Sequence, residues 1–566
     1  MADTCAASTP SYLTFGLAPR TFGICVALIV GLAPLMIIVG GPKLLQAVGR
    51  TVGFYLRKKT AGRRGQILER VETDTKAWAE KKGSRRDSEE WESVDSYATS
   101  AAKDTDAARS NRDWDGIVGF FHPFCNAGGG GERVLWAAIR ATQKRWPHAK
   151  IVVYTGDHDV DKNAILARVE NRFNIHLHPP TITFLYLTSR HWVLASTWPH
   201  FTLLGQSLGS LLLAYDAFSL LPPDVFVDTM GYAFALGLSK LLFPDVPTGA
   251  YVHYPTISTD MLGSLDEDSP TGKQGVNAGK GTGTKGKAKK IYWKLFAQLY
   301  TWVGATIDVV MTNSNWTLDH IISLWGPWRK ELRKAGAFAV YPPVAVEELE
   351  KEVEVSEASE LKREKVLLYI AQFRPEKNHQ LILNAFKTFM ATETAATKGA
   401  KLVLIGSVRD DGDSKRVYEL RLLANELQIK DSVEFHLDAS WPEILEWLRR
   451  ASVGVNGMWN EHFGIGVVEY QAAGLISVVH DSGGPKRDIV VAIDGKPTGF
   501  HAITAGEFAE GYQKALELQE DEKLAMRKRA RKSAQRFTEE EFARGFVGAL
   551  DALIKLQVKT KTKSRR

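Results

Sequence analysis

Cysteine is nearly absent from this chain. Its 566 residues hold three, Cys5, Cys25 and Cys125. None is paired at metal-ligand spacing, so neither a disulfide framework nor a zinc site is supported, which fits a reducing compartment. A basic stripe with interleaved aromatics is also missing outside the tails and insertions, which argues against nucleic acid. Charge excess is slight, 72 basic against 65 acidic side chains, and is compatible with an anionic membrane surface or phosphorylated ligands. The phosphate-loop lysine and the complete G-x-G-x-x-G of common nucleotide folds are both lacking. What remains is a chain with room for two or more domains and large cores.

The first long feature is an uncharged, mostly apolar run over 21–42, long enough to span a bilayer. It has no clear small-residue cleavage pattern, which favours an uncleaved anchor over a signal peptide. Asp3 and Arg20 precede it. Lys43, Arg50, Arg57, Lys58, Lys59, Arg63 and Arg64 follow, with no acidic residue among them. The positive-inside rule then puts 1–20 in the lumen and everything beyond the anchor in the cytosol. Residues 43–112 are highly charged and read as a tether with some helix.

Beyond the tether, short apolar runs alternate with helical patterns, the mark of an α/β fold with parallel sheets. A first domain spans 113–343, with strands expected near 116–121, 150–154, 181–187, 225–228, 249–253 and 308–312. Its low-complexity stretch at 264–290 is expected to be a disordered insertion. Pro342-Pro343 marks the junction. The second domain, 344–538, places strands near 366–371, 402–405, 433–436, 451–455 and 476–480. A final helix over about 539–556 is expected to cross back to the first domain, with a basic mobile end to 566.

Candidate chemistry sits at strand ends. After the first strand comes His122-Pro123-Phe124-Cys125-Asn126-Ala127 and a run of glycines including Gly129, Gly130 and Gly131. Strand, glycine run and helix make a phosphate-approach loop, although a flexible turn would use the same residues. His253 closes another strand before a proline. Arg374 and Lys377 follow the strand at 366–371, where two fixed cations can neutralise a diphosphate; a salt bridge with Glu376 is the plainer alternative. Glu461 follows the strand at 451–455, and Glu469 lies about two turns into the next helix. Between them Gly464 and Gly466 let backbone approach a ligand closely. Asp157-His158-Asp159-Val160-Asp161 has the look of a metal-binding carboxylate loop, but a solvated turn accounts for it better. Residues 191–215 contain no Asp, Glu, Lys or Arg. They read either as an interfacial or shallow re-entrant segment or as a buried helix pair, and 291–303 as a continuation of a membrane-facing surface.

Two glutamates separated by seven residues around Phe463-Gly464-Ile465-Gly466, together with the R-x-x-K pair, the histidine and the glycine loop, resemble retaining glycosyltransferases of the GT-B fold. The wording is most similar to the GDP-mannose-dependent α-1,2-mannosyltransferases that extend the dolichol-linked oligosaccharide at the endoplasmic reticulum. The resemblance covers 115–556 except 264–290. It implies two Rossmann-like doubly wound domains facing a cleft, behind the N-terminal transmembrane helix. It also implies roles. Gly129, Gly130 and Gly131 would face the donor diphosphate and the acceptor, and Arg374 and Lys377 would bind the diphosphate. His253 would contact the donor sugar or support the acceptor. Phe463, Gly464, Ile465 and Gly466 would cradle the donor. Glu461 would support the mannosyl group as positive charge builds, without becoming a covalent nucleophile, and Glu469 would bind ribose hydroxyls. Residues 437–438 would lie at the nucleobase, and 481–485 would close against the donor. No metal and no cofactor are implied, since the departing phosphate accepts the acceptor's proton. The partners implied are GDP-mannose, the dolichol-diphosphate-linked Man3GlcNAc2 and Man4GlcNAc2 intermediates, the endoplasmic reticulum membrane and other mannosyltransferases of the pathway. The rivals are a relative using another nucleotide sugar and a scaffold subunit without turnover.

Overall fold

Strands buried on both faces need helices above and below them, and that requirement organises both halves of the molecule. The structure, a computed structural model, describes residues 41–82, 113–266, 269 and 283–565. In the first lobe the strands are β1 (Ile117–Phe121), β2 (Lys150–Thr155), β3 (Ile182–Tyr186), β4 (Val225–Asp228), β5 (Thr248–Val252), β6 (Val309–Thr312) and β7 (Phe338–Ala339). They form a parallel sheet in the order β3-β2-β1-β4-β5-β6-β7. The second lobe holds β8 (Glu364–Ile370), β9 (Lys401–Gly406), β10 (Val433–Leu437), β11 (Ala451–Asn456), β12 (Ile476–His480) and β13 (Gly499–Ala502). Their order is β10-β9-β8-β11-β12-β13, again parallel. Every residue of β1, β4, β11 and β12 is buried.

In each sheet the winding reverses once, between β1 and β4 and between β8 and β11. Loops leaving the carboxyl ends of neighbouring strands diverge at such a point and open a crevice. The glycine loop leaves β1, the Arg374–Lys377 turn leaves β8, and the Glu461 loop leaves β11. The fold alone therefore sets these segments at crevice mouths.

The helices used below are α1 (Gly41–Lys82), α2 (Gly130–Arg145), α3 (Thr202–Leu220), α4 (Ala233–Leu242), α5 (Gly283–Ala305), α6 (Asn315–Glu331), α7 (Ile465–Ala472) and α8 (Glu539–Arg565). As expected, α8 returns to the first lobe, where Phe542, Phe546, Leu550 and Leu553 join its core. Each such side chain contributes about 1.5–3 kcal/mol by leaving water. The expected mobile tail is instead helical as far as Arg565.

Two further expectations change. The segment from 43 onward is no loose tether up to Lys82. It belongs to one helix of 42 residues packed along the first lobe. Gly49, Gly53, Leu56, Thr60, Ile67 and Val71 are its buried seam, spaced as one helix face. Arg57 pairs with Asp245 at 2.7 Å and Arg64 with Asp224 at 2.5 Å. A seam made partly of glycine and threonine is hard to see among so many charges. Residues 283–290, expected to be disordered, form the start of α5. Residues 191–215 form two short turns followed by α3, which packs on α4 within the first lobe. The expected anchor lies outside the described residues except for Gly41 and Pro42, which begin α1. Among the described residues no helix is long and apolar enough to cross a membrane.

Candidate active site

The Glu461 loop is held from behind. Gly464 ends it with φ +105°, a left-handed conformation that glycine adopts without strain, and caps α7. The turn at 481–485 presses on its backbone, with the Gly484 N–H donating to the Glu461 carbonyl at 2.7 Å. Gly483, at φ +64°, leaves no space for a side chain: a Cβ there would come within 2.3 Å of the Glu461 carbonyl oxygen. The Ser482 hydroxyl accepts from the Asn460 N–H at 2.7 Å. Tyr470 in α7 fixes the helix to the sheet by accepting the Ile370 N–H at 2.7 Å.

So supported, Glu461 meets Lys377. The Lys377 Nζ lies 2.5 Å from Glu461 Oε2, and Asn456 Nδ2 reaches the same oxygen at 3.5 Å. Burial pushes the Glu461 carboxyl up, but the charge and hydrogen bond of Lys377 prevail and hold it below the usual carboxylate range. Glu469 has the opposite environment. Burial raises its pKa, and the charge of Arg133 lowers it only in part.

Arg133 belongs to the facing wall. There Gly129 caps α2, its N–H donating to Glu132 Oε2 at 2.6 Å. A Cβ on Gly130 would stand 2.6 Å from Ile465 Cδ1, so the lobes touch at this glycine. One on Gly131 would lie 3.7 Å from His253 Nε2. The His253 ring stacks edge-on to Tyr251, with centroids 5.0 Å apart. Its Nε2 is buried without a hydrogen-bond partner among the described residues. Burial depresses its pKa to about 4, so it is neutral near pH 7. Beside it His122 is linked to Thr229 Oγ1 at 2.7 Å and to Glu132 Oε1 at 3.5 Å. Arg133 pairs with Glu539 at 2.9 Å, joining the start of α8 to this wall.

Aromatic stacking closes the gap between the walls. The ring of His462, next to Glu461, lies 3.9 Å from that of Tyr254 and 5.7 Å from that of Trp316, nearly parallel to both. Ser314 Oγ donates to the His462 carbonyl at 2.6 Å, and Asn460 Nδ2 to Asp260 at 2.6 Å. Asn315 donates to Asp488 from its backbone at 3.0 Å and from its side chain at 2.7 Å, and to the Tyr341 hydroxyl at 2.8 Å.

Known proteins share this organisation. Residues 115–325 match the family described as ALG11 mannosyltransferase N-terminus, and 351–535 that described as Glycosyl transferases group 1. A GDP-Man:Man(3)GlcNAc(2)-PP-Dol alpha-1,2-mannosyltransferase of Neurospora crassa is 68% identical over 534 residues, 93% of this chain and 96% of the relative. The chain belongs to this mannosyltransferase family. The member from Mus musculus is 46% identical over 448 residues, covering 77% of this chain and 87% of its own. Among solved structures, the Candida albicans trehalose-6-phosphate phosphatase N-terminal domain gives a TM-score of 0.56 at 12% identity, over 78% of this chain and 96% of that one. The trehalose 6-phosphate synthase of Burkholderia multivorans gives 0.53 at 12% identity, over 78% and 98%. At such identities these two show the fold alone: the α/β GT-B arrangement.

Within this mannosyltransferase, the residues singled out from sequence divide. Lys377 and Glu461 meet, Ile465 meets Gly130, and Gly131 adjoins His253. Arg374 is not drawn to Glu461. Its ion pair is with Glu376 at 3.8 Å, the alternative weighed for it, and it lines a cavity of about 190 Å³ with Asn378, His379 and Arg416. Phe463 is buried against Tyr341 and Phe537 and supports the loop by packing. Asp438 accepts the Val408 N–H at 3.1 Å, and the 481–485 turn closes on Glu461 itself. Asp157 does more than a solvated turn would. It is bridged by Arg190 and accepts the Asn126 N–H at 3.0 Å, fixing the entry to the glycine loop. His122, Glu132, Arg133, Tyr254, Trp316 and His462 were missed. His122 and His462 stood inside quoted stretches, and Glu132 bonds locally to Gly129; Arg133, Tyr254 and Trp316 act through partners distant in sequence, which spacing cannot reveal.

Proposed function

We infer that this chain is a retaining α-1,2-mannosyltransferase that moves mannose from GDP-mannose to dolichol-diphosphate-linked Man3GlcNAc2 and then Man4GlcNAc2. The observation that carries this reading is the Lys377–Glu461 pair at the β8/β11 crevice, facing a glycine loop at the β1/β4 crevice. Lysine has three donors. One serves Glu461, leaving others for phosphate oxygens, where the amides at the start of α7 also point. As the bond from the anomeric carbon to the diphosphate breaks, negative charge grows on the phosphate and positive charge on the sugar. Lys377 and Arg374 answer the first and Glu461 the second, and one such preorganised group is worth about 2.7–4 kcal/mol. The departing phosphate oxygen takes the acceptor hydroxyl's proton on the face where the new bond forms, so configuration is retained. Glu469 receives ribose hydroxyls, and His253 the sugar or acceptor.

The same reading assigns 113–343 to the acceptor-side domain and 344–538 to the donor-side domain. It places the protein at the endoplasmic reticulum membrane through 21–42 with both lobes cytosolic, near other mannosyltransferases of the pathway. The apolar run and the basic residues after it support this. The test is full-length protein with GDP-mannose and a synthetic lipid-linked trimannosyl acceptor in EDTA, with products identified by mass spectrometry. Mannose added in α-1,2 linkage is the expected result. Preference for a UDP-sugar, or absolute dependence on a divalent ion, would overturn the donor assignment or the metal-free mechanism respectively.

A further inference from the structure

We propose that Arg363, Arg527 and Arg531 are positioning residues for the transfer: gripping α7 at its end remote from the cleft, they set where Glu461, Glu469 and the first amides of α7 meet the donor. The proposal rests on the reading of α7 as the donor-facing helix. That helix has eight residues, about 12 Å of length, and one so short does not hold its own place. Its start has no side-chain cap and no acidic residue in the first turn, so those amides are left for a ligand. At its other end the carbonyls are satisfied one by one. Glu469, Tyr470 and Gln471 accept the N–H groups of Ala473, Leu475 and Gly474 at 2.9, 2.8 and 3.0 Å. The next three each receive a guanidinium: Ala472 that of Arg531 at 2.9 Å, Ala473 that of Arg363 at 2.8 Å, and Gly474 that of Arg527 at 2.8 Å.

A helix needs no such arrangement merely to stop. Gly474, at φ +74°, supplies the left-handed stop by itself. Gathering three guanidinium groups is also unfavourable: burial, and then the charge of Arg527, lower the Arg363 pKa from the usual 12.5 to about 9. What the three add is connection. Arg527, 1% exposed, donates from the same Nη1 to the Ser452 carbonyl at 2.9 Å, and Arg363 donates to the carbonyls of Leu448 and Ala451. Ala451 and Ser452 open β11. The strand leading into the Glu461 loop and the helix leaving it are therefore held at their far ends by the same two side chains. Arg527 is braced in turn by a two-point pair with Glu360, at 2.6 and 2.9 Å, and Arg531 by the Val353 carbonyl. Val353, Glu360 and Arg363 lie on the segment by which the chain enters the second lobe, so the grip runs from α7 to the connection between the lobes.

The test compares two variants of the full chain. Arg527→Lys keeps the charge but not the planar fork that spans several acceptors. Leu524→Ala trims a buried side chain of the same Glu520–Ala534 helix and leaves the guanidinium bonds in place. Both are assayed with GDP-mannose and the lipid-linked trimannosyl acceptor well below their melting temperatures. Arg527→Lys should lose about tenfold of kcat/KM for GDP-mannose, and calorimetry should show weaker GDP binding. Leu524→Ala should melt earlier yet keep both values. Equal losses in the two variants would assign the arginines to stability alone and overturn the proposal. Unchanged kcat/KM and GDP binding in folded Arg527→Lys would do the same. Should Arg527→Lys fail to fold, the half-buried Arg531→Lys takes its place, with an expected loss of about threefold. Unmutated protein that binds no GDP would sink the donor reading instead. Hydrogen exchange then decides the positioning without a ligand: the amides of 465–472 should exchange faster in the arginine variant than in Leu524→Ala, and equal rates would overturn it.

Discussion

The second lobe concentrates its candidate chemistry in two short stretches, 374–378 and 456–469, at the ends of the adjacent strands β8 and β11. The first lobe gathers His122, the 129–131 glycines, Thr229 and His253 from separate strand ends, and ties them by hydrogen bonds and packing. Both lobes obey the same sheet topology. They differ in what must be held. On the proposed reading, a diphosphate and a developing positive centre need charges close together, and neighbouring loops would supply them. The facing wall is assembled from several strand ends along the sheet edge, with the buried His253 and the glycines beside the Glu132 and Arg133 side chains.

The largest effect should follow from breaking the charge pair. Lys377→Ala is expected to cost about 2–4 kcal/mol of transition-state stabilisation, read as kcat/KM. Glu461→Ala should cost the same. The double variant should cost well under the sum, because the two act as one unit; full additivity in this cycle would dissolve the pair as a unit. On the first lobe, His253→Ala is expected to lose about 1–2 kcal/mol, the scale of a single hydrogen bond. A loss as large as that of Lys377→Ala would erase the contrast between the lobes. Tyr254→Ala removes a ring stacked on His462 and should weaken closure by about 0.5–1.5 kcal/mol. It should raise KM for GDP-mannose more than it lowers kcat.

Smallest is a pH effect that sharpens the comparison. Burial holds His253 and His462 at a pKa of about 4, below the usual 6.5. Between those values the unfolded chain binds more protons than the folded one. Stability therefore falls as pH drops from 6.5 towards 4. Thermal melts from pH 7 to 5 should show declining Tm. His462→Phe, which keeps a stacked ring and removes the titration, should flatten that decline.

Much of this was legible in advance for a physical reason. Parallel strands covered on both faces are continuous apolar runs, so β1, β4, β8 and β11 stand out, and the residues after them at a winding reversal are site candidates by topology. Glu461 and Lys377 were legible on that ground together with the family resemblance. The α1 seam was not, because Gly49, Gly53 and Thr60 bury backbone more than apolar side chain. Tyr254, Trp316 and His462 were not, since their ring stacking joins residues 62, 146 and 208 positions apart. Arg374, which the resemblance puts on the diphosphate with Lys377, lies beside Glu376 at the tight Pro375–Lys377 turn and lines a cavity with Arg416, an arrangement that spacing does not reveal.

Asn315 heads an Asn-Trp-Thr sequence, the pattern that receives N-linked glycans, and its amide is locked between the lobes against Asp488 and Tyr341. A sugar tree on that nitrogen would replace these bonds with bulk and wedge the cleft apart. A copy inserted with its lobes in the lumen would thus be disabled by the modification whose precursor it helps to build, so orientation and competence are coupled at a single amide.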